Sequence, residues 1–162
     1  MTEDEITALA RRVGRALTRR KVEVSVAESC TGGGLAAAIT RISGSSKWFD
    51  RGFVTYSNGA KQELLGVSQR ALKMHGAVSE EVAREMAAGV LARSPSPVSV
   101  SVTGVAGPAG GSRRKPVGLV WIGWGVRGGP LQARAFRFAG NRMEVRRQAV
   151  AMALQGLIDL LR

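Results

Sequence analysis

Val22-Glu23-Val24-Ser25-Val26 puts a valine at every second position, and it runs straight into Ala27-Glu28-Ser29-Cys30-Thr31-Gly32-Gly33-Gly34 and then Leu35, Ala36, Ala37, Ala38 and Ile39. A period of two is the pattern of a strand, and the residues after the glycines are good helix formers. A strand that turns through glycine directly into a helix belongs to a βα unit. That commits the chain to crossover connections and a sheet covered by helices. The turn itself is chemically dense: a carboxylate, two hydroxyls and a thiol fall within four positions. Glycine lets a backbone approach a ligand closely, and the first amides of a helix have no internal partner, so such a turn suits an anion or a carboxamide.

The flanking chain completes the pattern. Thr2 and Glu5 have capping-box spacing. Ile6, Leu9, Ala10, Val13, Ala16 and Leu17 follow at helical intervals, which predicts an amphipathic helix over 3–20. The helix after the glycine turn is expected to run to about Ile42, broken by Ser43-Gly44-Ser45-Ser46. Phe53-Val54-Thr55-Tyr56 reads as a short strand. Asn58 and Ser68 are expected to cap two short helices, the second ending near His75. Ser79 is expected to cap a third, with Glu80 and Glu81 in its first turn. Val98 to Thr103 alternates as a strand, Gly104 to Gly118 is a long loop rich in glycine, and Leu119–Val126 with Leu131–Phe138 form a hairpin. Asn141 caps a last helix to Leu161. The order α-β-α-β-α-α-β-β-β-α predicts one α/β domain over 1–162, a three-layer α/β/α sandwich with a mixed, mostly parallel sheet and a C-terminal hairpin.

Composition removes several classes of function. One cysteine, Cys30, excludes an internal disulfide. With one histidine, His75, an ordinary zinc site lacks ligands and an imidazole-based triad has a single candidate. No apolar run approaches the ~20 residues of a membrane span. The acidic start Met1-Thr2-Glu3-Asp4-Glu5 is unlike a signal peptide, so a cytoplasmic protein without a membrane partner is expected. The net charge is high, 24 basic residues against 12 acidic, but it is scattered in clusters at 11–21, 113–115 and 142–147. No nucleic-acid motif accompanies these clusters. Sequence-specific nucleic-acid binding is therefore not expected, while loose attraction to anions is.

The polar residues gather where strands end: Glu28, Ser29, Thr31 and Gly32 after the first, Tyr56, Ser57 and Asn58 after the second, Thr103 and Gly104 after the third. If those strands are parallel neighbours, the three groups meet where open α/β sheets place ligands. Lys61, five residues past Tyr56, can act as a base if burial lowers its pKa from about 10.4, and a Ser–Lys pair is a known nucleophile-and-base scheme. The residues themselves leave alternatives open: Lys61 as a solvated helix lysine, Ser45 and Ser46 as turn residues, and Tyr56 as an aromatic at the core's edge. Cys30 reads as a small buried residue, with no histidine placed to activate it. Arg142 and Arg146, one turn apart, are suited to hold a phosphate together, with surface charge the alternative.

Five separated blocks carry a resemblance: Ala27-Glu28-Ser29-Cys30-Thr31-Gly32-Gly33; Gly44-Ser45-Ser46 through Trp48, Phe49 and Arg51-Gly52-Phe53-Val54-Thr55-Tyr56-Ser57-Asn58 to Lys61; His75-Gly76-Ala77-Val78-Ser79; Thr103-Gly104-Val105-Ala106-Gly107-Pro108; and Lys115-Pro116-Val117-Gly118. In that order they closely resemble the carboxy-terminal domain of the CinA family, the nicotinamide mononucleotide amidohydrolase domain, in a stand-alone form. The resemblance implies hydrolysis of the carboxamide of nicotinamide mononucleotide to nicotinic acid mononucleotide and ammonia, in pyridine nucleotide salvage, with no cofactor and no metal. It places a serine nucleophile on Ser46, with Ser29 or Ser45 as alternatives, a lysine base on Lys61 and a supporting tyrosine on Tyr56. It places substrate contacts on Glu28, Ser29, Thr31, Gly32, Thr103, Gly104, Arg142 and Arg146. The competing reading is a catalytically silent member that binds pyridine nucleotide or a protein partner in a competence or DNA-damage context. A homodimer is the default assembly.

Overall fold

The computed structural model describes residues 1–162. Helix α1 (Glu3–Arg20) leads to β1 (Val24–Glu28), α2 (Gly34–Thr40), a single 3-10 turn at Ser45–Lys47 and β2 (Phe49–Val54). Helices α3 (Asn58–Leu65), α4 (Gln69–His75) and α5 (Glu80–Ala92) follow. Then come β3 (Val98–Gly104), β4 (Leu119–Val126), β5 (Leu131–Arg137) and α6 (Arg142–Leu160). The capping boxes at Thr2 and Glu5 and at Asn141 and Glu144 are both formed.

The five strands make one sheet in the order β2-β1-β3-β4-β5. β1 is parallel to both β2 and β3, while β4 runs antiparallel to β3 and β5 antiparallel to β4. Helices α1, α2 and α6 pack together on one face, and α5 lies across the other with α3 and α4 beside it. The result is a three-layer α/β/α sandwich. The parallel strands β2, β1 and β3 end side by side, and this edge positions the site.

The two faces of the sheet are buried by different chemistry. Val98, Val100 and Val102 join Val24, Val26 and Ile122 in a core of 27 buried residues under α1, α2 and α6. The alternate residues of β3 are polar and equally buried. Ser99 donates to the Ala87 carbonyl at 2.9 Å, Ser101 to Ala83 at 2.6 Å and Thr103 to Ala77 at 2.9 Å. Alternation here separates two buried faces, because carbonyls of α5 and of the turn before it accept from the hydroxyls that would otherwise be costly to bury.

Three local expectations are corrected. β2 begins at Phe49 and ends at Val54, so Thr55 and Tyr56 lie beyond it. Its pairing with β1, Val24 to Phe49 and Glu28 to Val54, carries it through Asp50-Arg51-Gly52, which an edge strand tolerates on its open side. The cap of α3 is Ser57, whose hydroxyl accepts from the Ala60 amide at 3.0 Å, and Asn58 is the first helical residue. Helix α2 stops at Thr40 rather than near Ile42.

Candidate active site

The carboxyl ends of β1, β2 and β3 open into a cavity of about 270 Å³, lined among others by Ser29, Tyr56, Lys61, Thr103, Gly104 and Arg142. Three strand ends separated by long stretches of sequence thus meet, because the parallel pairings of β1 bring them side by side.

Lys61 is the central group. It lies in the first turn of α3, where its amide donates to the Ser57 carbonyl at 3.1 Å, and its side chain points back under the strand ends with 1% of its surface exposed. Its Nζ lies 3.1 Å from Ser29 Oγ, 3.0 Å from the Thr55 carbonyl oxygen and 3.2 Å from the Tyr56 carbonyl oxygen. Burial lowers its pKa from the usual lysine value, since taking a charged amine out of water favours the neutral form. A neutral amine has two N–H groups and one lone pair. Two carbonyls take the two donors, which turns the lone pair toward the Ser29 hydroxyl.

Ser29 is held through both of its backbone groups. Its amide donates to the Val102 carbonyl at 2.9 Å, tying the turn to β3. Its own carbonyl accepts from Gly32 at 3.0 Å. The preceding residue, Glu28, is buried and faces away from the cavity. One carboxylate oxygen accepts from the Thr31 hydroxyl at 2.5 Å and the Leu35 amide at 2.8 Å, and the other from the Ala36 amide at 2.9 Å. Glu28 therefore supplies the first amides of α2 with an acceptor and closes the turn on itself. Gly33, at φ +101°, takes the left-handed conformation that starts the helix. Glu28 and Thr31, expected to contact a substrate, are instead committed to this internal network, and Gly32 sits beside Arg146 rather than on the cavity wall. Cys30 lines the cavity, and burial pushes its thiol up to about 11, which disfavours the reactive thiolate.

The rim carries the second charged group. Arg142, the first residue of α6, donates to the Gly107 carbonyl at 2.7 Å and to the Tyr56 hydroxyl at 3.1 Å. Tyr56 is 60% exposed, and its contact with Lys61 is through its carbonyl, so its phenol belongs to the rim. Arg146 turns elsewhere. It donates to the Thr31 carbonyl at 3.1 Å and lines a separate cavity between α1, α2 and α6. The expectation that the two arginines hold one group together is thus corrected: the glycine turn stands between them. Thr103 is fixed by its bond to Ala77 and contributes to the cavity wall, as does Gly104, where any side chain would strike Val120 and the Leu119 carbonyl.

The pairing of Ser46 with Lys61 is also corrected. Ser46 is exposed in the 3-10 turn that precedes β2, and buried Ser45 sits in the same turn. That turn lies at the amino end of the strand, while Lys61 sits beyond its carboxyl end. Six residues of strand separate the two, a path of roughly 20 Å. Asn58, one of the polar residues expected to gather where the strands end, also lines the cavity. His75 is the last residue of α4, near Glu81 and outside this cavity.

The family described as the CinA C-terminal domain matches residues 6–161. A protein named nicotinamide-nucleotide amidohydrolase PncC from Enterobacter agglomerans is 53% identical over 155 residues, 96% of this chain and 94% of that protein. The protein of the same name from Escherichia coli K12 is 52% identical over 157 residues, 97% of this chain and 95% of its own length. Among solved structures, the competence/damage inducible protein CihA from Agrobacterium tumefaciens superposes with a TM-score of 0.95 at 47% identity, covering 98% of this chain and 96% of that one.

Proposed function

The chain belongs to the CinA C-terminal domain family, and on that premise we propose that it hydrolyses the carboxamide of nicotinamide mononucleotide, giving nicotinic acid mononucleotide and ammonia. The names of the two amidohydrolase relatives, similar over nearly the whole chain, support the substrate. The observation that carries the mechanism is the buried Lys61 amine 3.1 Å from the Ser29 hydroxyl.

In this reading Ser29, rather than Ser46, is the nucleophile. Its Oγ forms a bond to the carboxamide carbon as its proton passes to Lys61 Nζ. Backbone amides of the turn that follows Ser29 take the developing oxyanion. The Lys61 ammonium then gives its proton to the leaving nitrogen, the C–N bond breaks and ammonia departs. Water, relieved of a proton by the same amine, attacks the resulting ester and returns Ser29 to its hydroxyl form. The sum is amide plus water to acid plus ammonia. In the same reading Arg142 pairs with the substrate's phosphate, a role supported by its position on the rim, where it donates to the Tyr56 hydroxyl.

The test is ammonia release from nicotinamide mononucleotide by Ser29→Ala and Ser46→Ala side by side. Ser29→Ala is expected to lose turnover by a factor of about 10³ or more, as nucleophile deletions do. Ser46→Ala is expected to stay within about threefold of the parent, because an exposed side chain at the other end of the sheet changes stability by no more than about 0.5 kcal/mol. The reverse pattern would refute the Ser29 assignment.

A further inference from the structure

The amino end of the sheet carries a second feature that the amidase site does not use. A groove of about 460 Å³ runs along α1 and is lined by Arg11, Arg15, Arg19, Thr18, Ile42 and Trp48. The three arginines are exposed and stand one helical turn apart, about 6 Å along the axis from each to the next. Like charges at this spacing destabilise the helix that carries them. Acidic neighbours do not offset the repulsion. The ion pairs of the chain's arginines are made by Arg41, Arg51, Arg84, Arg147 and Arg162, and no acidic residue lines the groove. The helix dipole accounts for Arg19, in the last turn of α1, but stability of the helix gives no account of Arg11 and Arg15.

The apolar lining is an aromatic ring. Trp48 follows the 3-10 turn, and its indole lies against α1 at Gly14, where even a methyl group would overlap the ring. The ring remains partly exposed in the groove, and its Nε1–H is buried without an acceptor in the chain. None of the three arginines stacks on it; the one arginine that lies over aromatic rings is Arg134, over Trp124 and Phe136. A row of free guanidinium groups at regular spacing beside an open indole is the combination that holds a single nucleic-acid strand: cations track successive phosphates and the aromatic ring stacks on a base. A duplex keeps its bases paired and offers nothing to the ring, and a lipid surface offers headgroups but no planar bases.

We propose that the Arg11–Arg15–Arg19 face of α1 with Trp48 binds single-stranded nucleic acid through its phosphodiester backbone, without sequence preference. The surface lies at the opposite end of β2 from Lys61, so the strand and the amidase substrate occupy separate places. The proposal stands independently of the amidase reading.

The test uses the whole chain and a fluorescein-labelled oligothymidylate of about 12 nucleotides. Three phosphate contacts predict that the logarithm of affinity falls with the logarithm of salt concentration with a slope of about −2. Binding is expected to quench tryptophan emission. Trp48→Phe is expected to abolish that quenching and weaken binding several-fold. Replacing Arg11, Arg15 and Arg19 together by Ala, a better helix former, is expected to reduce affinity at least tenfold at low salt and flatten the slope, with ammonia release unchanged. Retained affinity in the triple variant would overturn the proposal by moving binding to another basic cluster. So would equal binding of inorganic polyphosphate without quenching, or binding to anionic lipid vesicles in preference to the oligonucleotide.

Discussion

Lys61→Met separates the chemistry of the site from its packing. Methionine nearly matches the lysine stem in length and volume, so the replacement leaves little cavity. It removes the donor that the Thr55 and Tyr56 carbonyls share with Ser29. Leaving a buried carbonyl unpaired costs about 1–3 kcal/mol. The Ser29 hydroxyl, 3.5 Å from the Tyr56 oxygen, can turn to serve one of the two. Against the remaining loss stands relief from burying an amine that would otherwise be charged. The sign of that relief depends on pH. Because the folded pKa of Lys61 is depressed, the burial penalty is fully present below that value. It disappears as pH rises toward the unfolded value of about 10.4. Within that window the parent's stability rises with pH by up to about 1.4 kcal/mol per pH unit, and the Met variant lacks this slope. Urea denaturation at several pH values therefore shows the variant gaining on the parent as pH falls. Activity moves separately. Loss of the base is expected to reduce ammonia release by a factor of about 10² to 10⁴. In the parent, turnover is expected to rise with pH through the depressed pKa and then level off, because the neutral amine is the working form. A folded Lys61→Met protein with turnover within tenfold of the parent would refute the lysine-base mechanism.

Arg142→Gln is expected to raise KM about 10- to 100-fold with a smaller change in kcat, since a charge-assisted bond of about 1.5–3 kcal/mol is lost from binding. Tyr56→Phe, which removes only the hydroxyl that holds Arg142, is expected to shift KM in the same direction by less, as steady-state kinetics will show. Glu28→Gln places an NH₂ against the amides of Leu35 and Ala36 or surrenders one of them, and it is expected to lower stability by about 2–3 kcal/mol in urea titration. Gly156→Ala drives a methyl group into the Trp124 indole, whose Nε1 donates to the Ala153 carbonyl at 3.1 Å. Overpacking of this kind costs about 1–3 kcal/mol or more, and a lowered Tm with altered near-ultraviolet circular dichroism is the expected signature.

The element order and the meeting of three strand ends were legible because they rest on period and punctuation. Valine alternation in β1 and β3, glycine after β1 and serine or asparagine before the helices are local signals, and crossover topology does the rest. β2 was shortened because Asp50-Arg51-Gly52 has no alternation. Edge strands expose one row of backbone groups and need none, so their pattern is weak. The role of Glu28 is not legible for a different reason. A carboxylate beside a glycine turn can face a ligand or turn back to the next helix, and only the position of α2, which starts six residues later, decides between them. Arg142 and Arg146 show the limit of helical spacing. Residues one turn apart share a face, but long side chains diverge when a turn such as Gly32–Gly33 stands between their partners. The family likeness singles out Lys61 with Ser46, while Ser29 and Ser45 stay open as alternatives. Sequence distance could not choose among them, since Ser46 is nearer to Lys61 along the chain than Ser29 is. The parallel register of β1 and β2 brings Ser29 to Lys61, placing the residue after β1 beside the residues after β2.

The three contacts of Lys61 also explain how one amine can serve every proton transfer without moving. When it is neutral, its two N–H groups face the Thr55 and Tyr56 carbonyls and its lone pair faces Ser29 Oγ. When it takes the serine proton, the new N–H points along the vector the lone pair had occupied, and all three donors have an acceptor. Neither state leaves a buried donor unpaired, so the heavy atoms stay where they are and the cost of reorganisation is small. Burial disfavours the ammonium and keeps the pKa below that of a free lysine, so the amine is available as a base. A serine at the other end of the sheet would have to meet this amine by carrying the lysine away from both carbonyls. The cage around Nζ, more than nearness alone, is therefore what favours Ser29 over Ser46 in the proposed mechanism.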